Sequence, residues 1–152
     1  MVEMTPLEID CFLDQQRIGR LCMAGADGRP YSLPFPFCWM DGSLYLRVGM
    51  SGRKGDILRE NDRVCFEVDH ITDTLDDYAS VLIEGRLVVV EDLAERARVK
   101  ECNDAKYNRL RGGYRPGHGR STSLEQLPLK KIVVARVTGR RKETATEAIA
   151  PA

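Results

Sequence analysis

Apolar and polar residues alternate along several short stretches of this chain, with the two-residue period of half-buried β-strands. The stretch 79–90 alternates most regularly, and Gly85 in its middle indicates a β-bulge or a close backbone approach. The apolar face of this predicted strand consists of Val81, Ile83, Leu87 and Val89. Further strands are predicted over 18–24, 29–40, 43–48, 63–68 and 130–137.

Turn residues separate the first three of these strands. Asp27-Gly28 and Asp41-Gly42 are typical of β-hairpin turns, which need residues that tolerate a positive φ. The stretch 29–40 contains three prolines, which cannot donate backbone hydrogen bonds to a neighbouring strand. We therefore expect this strand to be bent, to lie at a sheet edge or to line a site.

Three helices are predicted between the strands. The first begins at Thr5, because Pro6 suits the first helical position and Glu8 completes a capping box. Its apolar stripe comprises Ile9, Phe12 and Leu13. The second helix covers 54–60 and ends at Asn61, and the third covers 92–108.

This order of elements predicts a single domain over residues 1–143 and a flexible C-terminal tail over 144–152. Antiparallel strands joined mostly by short turns favour a mainly β fold that closes into a small barrel. The alternating strand and helix order of doubly wound folds is missing. No Gly-x-Gly-x-x-Gly motif follows the first strand.

The charge balance argues against two classes of partner. The chain has 23 basic and 23 acidic residues, whereas proteins that bind nucleic acid or membrane surfaces in general are clearly basic. No apolar stretch is long enough to span a bilayer, and the N-terminus lacks the pattern of a secretory signal. We therefore expect a cytoplasmic protein that binds neither nucleic acid nor membrane.

The cysteines and histidines form no recognisable metal or disulfide pattern. The cysteines are odd in number and scattered, without a Cys-x-x-Cys pair, so we expect reduced and mostly packed thiols. They are Cys11, Cys22, Cys38, Cys65 and Cys102. The only histidines are His70 and His118, so a histidine-rich metal site is not expected.

A basic turn, Ser51-Gly52-Arg53-Lys54, stands where the second helix should begin. Cations are unfavourable there, because the N-terminus of a helix already carries a partial positive charge. A bound anion would remove the conflict, and backbone N–H groups, the helix dipole and two side chains would hold it. The sequence therefore predicts a site for a phosphate-bearing small molecule. The alternative is a solvated basic turn.

An ordered series of segments resembles the pyridoxamine 5′-phosphate oxidase-like flavin-binding split barrels, and most closely their nitroimidazole-reductase-like branch. The resemblance extends over roughly residues 5–140 and implies an antiparallel split β-barrel with short helices. Its segments are 27–31 with Pro34, 41–46, Gly52-Arg53-Lys54 with Leu58, Asn61, 63–68 and 80–86.

The resemblance also implies a homodimer that binds FMN at the subunit interface. Arg53 and Lys54, with Gly52 and the hydroxyl of Ser51, then hold the FMN phosphate. Two strands flank the flavin ring, and residues of a third approach it. These positions are Tyr31, Ser32 and Leu33 in one strand, Leu46, Arg47 and Val48 in the next, and Ser80 and Val81 in the third.

Two departures from the family narrow the expected activity. Arg47 stands where the nitroimidazole-reductase-like branch commonly has a histidine, which argues against reduction of nitroimidazoles. The residues 32–37 replace the arginine- and lysine-bearing flavin strand of the oxidase, and residues for a pyridoxal phosphate substrate are not evident, which argues against oxidation of vitamin B6. We expect a flavin-dependent reductase or oxidase of a small organic molecule, with a reduced nicotinamide as electron donor. The alternatives are a non-enzymatic flavin-binding protein and a reductase that uses F420. Heme is disfavoured by the positions of the two histidines.

The stretch 111–123 is rich in glycine, arginine and serine and is predicted to form a long loop, and the segment 109–120 overlaps it. The resemblance places a flavin in a shallow site, and we expect this segment to cover it and to favour an anionic substrate. Its arginines are Arg109, Arg111, Arg115 and Arg120. The alternative is a solvated linker.

Overall fold

The computed structural model describes residues 1–112 and 123–142. In this part of the chain, eight strands form one sheet, and three α-helices and a single 3₁₀ turn connect them. The strands are β1 (Val2–Glu3), β2 (Gly19–Ala24), β3 (Pro30–Phe35), β4 (Cys38–Met40), β5 (Ser43–Arg47), β6 (Arg63–Ile71), β7 (Tyr78–Val89) and β8 (Leu129–Arg141). The helices are α1 (Pro6–Gln15), α2 (Gly52–Glu60) and α3 (Leu93–Arg111), and the 3₁₀ turn is Leu124–Gln126.

The sheet has the strand order β3-β2-β6-β7-β8-β5-β4, and neighbouring strands in this order are antiparallel. It curls into a half-barrel, which confirms the predicted mainly β split barrel. β8 joins the two halves, because it pairs with β7 along most of its length and with β5 at its beginning. The end of β8 also pairs with β1, a short strand that the sequence pattern did not predict.

Gly85 lies at an irregularity in the pairing of β7 with β8. The register shifts between Glu84, opposite Arg136, and Gly85, opposite Val134. A Cβ atom on Gly85 would lie 2.1 Å from the carbonyl oxygen of Val133. The predicted bulge and close backbone approach are therefore confirmed, and glycine is needed here for lack of space.

The largest apolar core consists of side chains from the sheet and from α1. Phe12 and Leu13 of α1 belong to it, and their side chains are fully buried. Thr5 and Glu8 form the predicted capping box at the start of this helix. A second cluster lies between α3 and the strands β4, β5 and β8, and it comprises Cys38, Tyr45, Val90, Val99, Leu127 and Leu129.

The prediction of one strand over 29–40 is wrong, and its prolines explain why. The structure has two strands there, β3 and β4, and Pro36 and Phe37 lie between them. β3 and β4 are the two ends of the sheet order, which confirms the expectation of an edge. Val89, predicted on the buried face of β7, is 56 % exposed, because the strand ends there and Val90 turns inward instead.

α3 continues three residues beyond its predicted end. Arg109 and Arg111, predicted to lie in a loop, belong to this helix, which ends at Gly112 with a left-handed φ of 64°. The side chains of Lys106 and Tyr107 extend the buried face of α3 and thereby stabilise its last turns. The rest of the predicted lid, from residue 113, and the predicted tail 144–152 lie outside the described residues.

Within the described residues, no helix combines the length and the apolar character that crossing a bilayer requires.

Candidate anion site at the start of helix α2

Helix α2 begins with free backbone donors and without a compensating acid. Ser51 precedes the helix, and its hydroxyl makes no capping hydrogen bond. Gly52 has a φ of 75°, a conformation that glycine adopts at low cost. The first turn contains no acidic residue. Backbone N–H groups at this end thus point outward with the positive end of the helix dipole behind them.

Two cations flank these donors. The guanidinium of Arg53 lies 4.4 Å from the centre of the Tyr31 ring, a favourable cation–π distance. The ammonium of Lys54 donates to the carbonyl oxygen of Ser51 at 3.3 Å. In the part of the chain that the structure describes, neither side chain pairs with a carboxylate. The cluster Ser51–Lys54 with Tyr31, called the α2 anion site below, therefore has an uncompensated positive charge.

The opposite end of α2 is fixed to the β2–β3 hairpin. The carboxylate of Glu60 accepts a hydrogen bond from the backbone N–H of Ala26 at 2.8 Å. The side chain of Asn61, which ends the helix as predicted, donates to the carbonyl oxygen of Ala24 at 2.9 Å. These contacts set the distance between the helix and β3, and they place Arg53 beside Tyr31.

The connection between β5 and α2 packs tightly against the helix. A Cβ atom on Gly55 would lie only 1.8 Å from the carbonyl oxygen of Met50. The same oxygen accepts a hydrogen bond from Arg59 at 2.9 Å. The backbone just before the α2 anion site is therefore held against the first turn of α2.

Lys130 of β8 fixes the beginning of this connection. Its buried ammonium donates to the carbonyl oxygen of Val48 at 2.7 Å. The backbone N–H of Val48 donates to the carbonyl oxygen of Pro128 at 2.9 Å. Burial lowers the pKa of Lys130. The sequence analysis missed this role, because nothing in the run Lys130-Lys131 indicates which lysine points inward.

The other residues predicted to contact the cofactor differ in which of their atoms are accessible to a ligand. The side chains of Leu46, Val48 and Val81 are buried in the apolar core, so only their backbone atoms are available to a ligand. Arg47 is exposed at the end of β5. Ser80 is half-buried on β7, opposite Asp69 of β6.

Strand β3 presents its three predicted residues to two different faces. Ser32 lies opposite Cys22 of β2, and its hydroxyl is 3.6 Å from the Cys22 sulfur. Tyr31 and Leu33 point to the other face, because successive side chains alternate along a strand. A ligand on the Arg53 side of the sheet can therefore contact the side chain of Tyr31 but not that of Ser32.

Comparison with known proteins identifies a matching protein family. A sequence profile described as pyridoxamine 5′-phosphate oxidase matches residues 5–141. No curated protein matches the chain significantly.

Solved structures share the fold. A proposed 5-nitroimidazole antibiotic resistance protein from Bacteroides thetaiotaomicron has 19 % identity and a TM-score of 0.70, over 92 % of this chain and 86 % of the other. An FAD-binding protein from Mesorhizobium loti has 26 % identity and a TM-score of 0.66, over 93 % and 98 %. An FAD- and heme-binding protein from Mycobacterium smegmatis has 18 % identity and a TM-score of 0.67, over 96 % and 77 %.

Proposed function

Because the chain belongs to the pyridoxamine 5′-phosphate oxidase family, we propose that it binds a flavin, with FMN as the cofactor. The FAD-binding relative from Mesorhizobium loti supports a flavin, since it aligns over nearly the whole of both chains. The observation that carries the proposal is the α2 anion site, which combines a free helix N-terminus with two cations that lack carboxylate partners among the described residues.

The α2 anion site fits a phosphate monoester. Arg53 and Lys54 provide charge-assisted donors, and the backbone N–H groups after Gly52 complete the cradle. Tyr31 holds the guanidinium of Arg53 in place from the side. In the proposal, two segments flank the flavin ring and a third approaches it, and the buried residues Leu46, Val48 and Val81 contribute backbone groups. The flanking residues are Tyr31, Ser32, Leu33, Leu46, Arg47 and Val48, and the approaching residues are Ser80 and Val81.

The cofactor lies at the interface of a homodimer in this proposal. β7 and β8 expose large aliphatic side chains, including Val133, which is 50 % exposed, and Val137, which is 36 % exposed. Such apolar positions on a sheet favour cover by a partner. Sedimentation velocity tests this part, and a monomer at micromolar concentration contradicts it.

The activity that fits the family is oxidation or reduction of a small organic molecule. A bound flavin supplies the hydride chemistry, and the protein holds and orients it. A non-enzymatic flavin-binding role is the second proposal. It is favoured by the predicted ring contacts, because they include no histidine, cysteine or carboxylate that transfers a proton. Oxidation of a reduced nicotinamide by the loaded protein, with quinones, nitroaromatics or anionic carbonyl compounds as acceptors, separates the two.

The cofactor test compares FMN with riboflavin, which has the same ring system and no phosphate. Arg53→Ala and Lys54→Ala should each weaken FMN binding by about 1.5–3 kcal/mol, the range for a hydrogen bond to a charged group, and leave riboflavin binding unchanged. Arg98→Ala is the matched control, since it removes one exposed cation from α3. Equal losses for both ligands, or no FMN binding by the unmodified protein, contradict the phosphate site.

Titration with FAD and with F420 then decides among the related cofactors. The proposal expects FMN to bind more tightly than either of them, because the α2 anion site matches a terminal phosphate.

A further inference from the structure

Two cysteines far apart in the sequence meet beside helix α3. The sulfur atoms of Cys38 in β4 and Cys102 in α3 lie 3.0 Å apart, and both residues are free thiols. Cys38 is 1 % exposed, whereas Cys102 is half-buried and has access to solvent. A disulfide has a sulfur–sulfur distance of about 2.05 Å, so a movement of about 1 Å suffices to form the bond.

A buried lysine stands next to this pair. Lys106 follows Cys102 by one helical turn, and its ammonium lies 3.7 Å from the centre of the Phe37 ring. It donates to the carbonyl oxygens of Leu13 at 3.2 Å and Phe37 at 3.0 Å. Burial lowers the pKa of Lys106 to about 8, and the positive charge of Lys106 acts against the raised pKa of Cys38.

The two thiols differ in their readiness to react. Burial, as the largest cause, raises the pKa of Cys38, so this thiol stays protonated at neutral pH. A small oxidant can reach the sulfur of Cys102, whereas the sulfur of Cys38 is buried next to it. This arrangement of an accessible thiol with a resolving partner is the one that peroxide-sensitive proteins use.

We propose that Cys38 and Cys102 form a redox-active dithiol that hydrogen peroxide converts into a disulfide linking α3 to β4. The Cys102 thiolate attacks one oxygen of the peroxide, the O–O bond breaks, and the released hydroxide takes a proton to become water. The resulting sulfenic acid is attacked by the sulfur of Cys38. An S–S bond forms, the S–O bond breaks, and the leaving hydroxide takes the Cys38 proton as a second water. Two thiols thus give two electrons to one peroxide.

The disulfide would act as a clamp on the corner between β3 and β4. The hydroxyl of Tyr107, five residues after Cys102, accepts from the backbone N–H of Phe37 at 2.9 Å and donates to the carbonyl oxygen of Arg17 at 2.7 Å. A covalent link at Cys102 therefore holds the part of α3 that already anchors this corner. Because the link closes a long loop, the thermal midpoint should rise by roughly 5–15 °C.

The test maps the bond in a Cys22→Ser variant of the full chain. Trypsin does not cleave before Pro30, so peptide 21–47 contains both Cys22 and Cys38, and the substitution makes it unambiguous. Cys22 lies opposite Cys65 in the sheet, so the substitution also prevents a competing disulfide between these two residues. The protein is treated with hydrogen peroxide, alkylated and digested.

The expected product is peptide 21–47 disulfide-linked to peptide 101–106, together with the rise in thermal midpoint and its reversal by dithiothreitol. Cys102→Ser should show neither the bond nor the rise. Recovery of both peptides separately alkylated, at a peroxide concentration that already oxidises methionine, overturns the proposal. So does an equal rise in midpoint for Cys102→Ser.

Discussion

The guanidinium of Arg53 in α2 lies over the aromatic ring of Tyr31 in β3, with its carbon 4.4 Å from the centre of the ring. Two strands, β4 and β5, separate their elements along the chain. Their contact orders a side chain at an exposed helix start that would otherwise sample many rotamers. The ring thereby reduces the entropy that Arg53 loses when an anion binds.

Tyr31→Leu should therefore weaken FMN binding modestly. A cation–π contact at an exposed position contributes about 0.5–1 kcal/mol, which corresponds to roughly a two- to fivefold higher Kd. Fluorescence titration of FMN measures the change. Tyr31→Phe is the matched control, because it keeps the ring under Arg53, and its affinity should remain close to that of the unmodified protein. A loss with Tyr31→Phe as large as with Tyr31→Leu would assign the effect to the hydroxyl.

Gly55→Ala should destabilise the protein and disturb the α2 anion site. The added methyl group would overlap the carbonyl oxygen of Met50, at 1.8 Å, so the backbone before α2 must move. Overpacking of this kind costs about 1–3 kcal/mol or more in the free energy of unfolding. Urea denaturation measures it. Gly49→Ala is the control, because a Cβ atom there meets nothing within 4 Å, and its midpoint should change little.

Arg96→Met should lower the free energy of unfolding by more than a typical surface substitution does. Arg96 is 5 % exposed and donates to the carbonyl oxygens of Val90 at 2.6 Å and Leu124 at 2.9 Å, and also to that of Leu127. Removing the donor leaves buried acceptors unsatisfied, at about 1–3 kcal/mol for each group. Arg98→Met on the exposed face of the same helix is the control. Similar urea midpoints for the two variants would show that the buried guanidinium contributes little net stability.

Glu95 makes stability depend on acidic pH. Hydrogen bonds from Lys131 at 2.8 Å and Tyr45 at 2.6 Å lower its pKa below the ordinary value of 4.5. A carboxyl whose folded pKa is lowered adds stability above its unfolded pKa, and this stability disappears as pH falls through the folded pKa.

The unmodified protein should therefore exceed Glu95→Gln in stability near pH 7, and the difference should shrink as pH falls from about 4.5. Thermal unfolding from pH 7 to pH 3 measures the difference. Glu91→Gln, at an exposed position two residues after Val89, should show no such convergence. A constant gap between the unmodified protein and Glu95→Gln at all pH values would contradict the role of the Glu95 carboxylate.

Local signals made most of the fold predictable. Thr5 and Glu8 act over three residues, and Asp41-Gly42 adopts positive φ values within one turn, so the sequence pattern contains the needed information. The basic turn at α2 was predictable for the same reason, since helix polarity and charge are read from adjacent residues. Family resemblance supplied the likeness to flavin proteins, which periodicity alone does not contain.

Long-range contacts were not predictable. Cys38 and Cys102 are 64 positions apart, and their meeting depends on how α3 lies across β4. Lys106 looked like one more charge on a polar helix, yet it is 2 % exposed because carbonyl oxygens of two other segments surround it. The even spacing of apolar residues in β7 similarly could not show that the strand ends at Val89.

The position of β8 in the sheet has a consequence for how the protein is made. β8 is the last strand of the described chain, yet it pairs with β1, β5 and β7 and joins both halves of the sheet. During translation, β2, β3, β6 and β7 can pair as they emerge, whereas β4 and β5 have no strand to join them to that unit. The barrel therefore forms only after residue 141 leaves the ribosome. Until then, the edge of β7 that later pairs with β8 is open. It can pair with strands of other molecules, which makes the incomplete chain prone to aggregation.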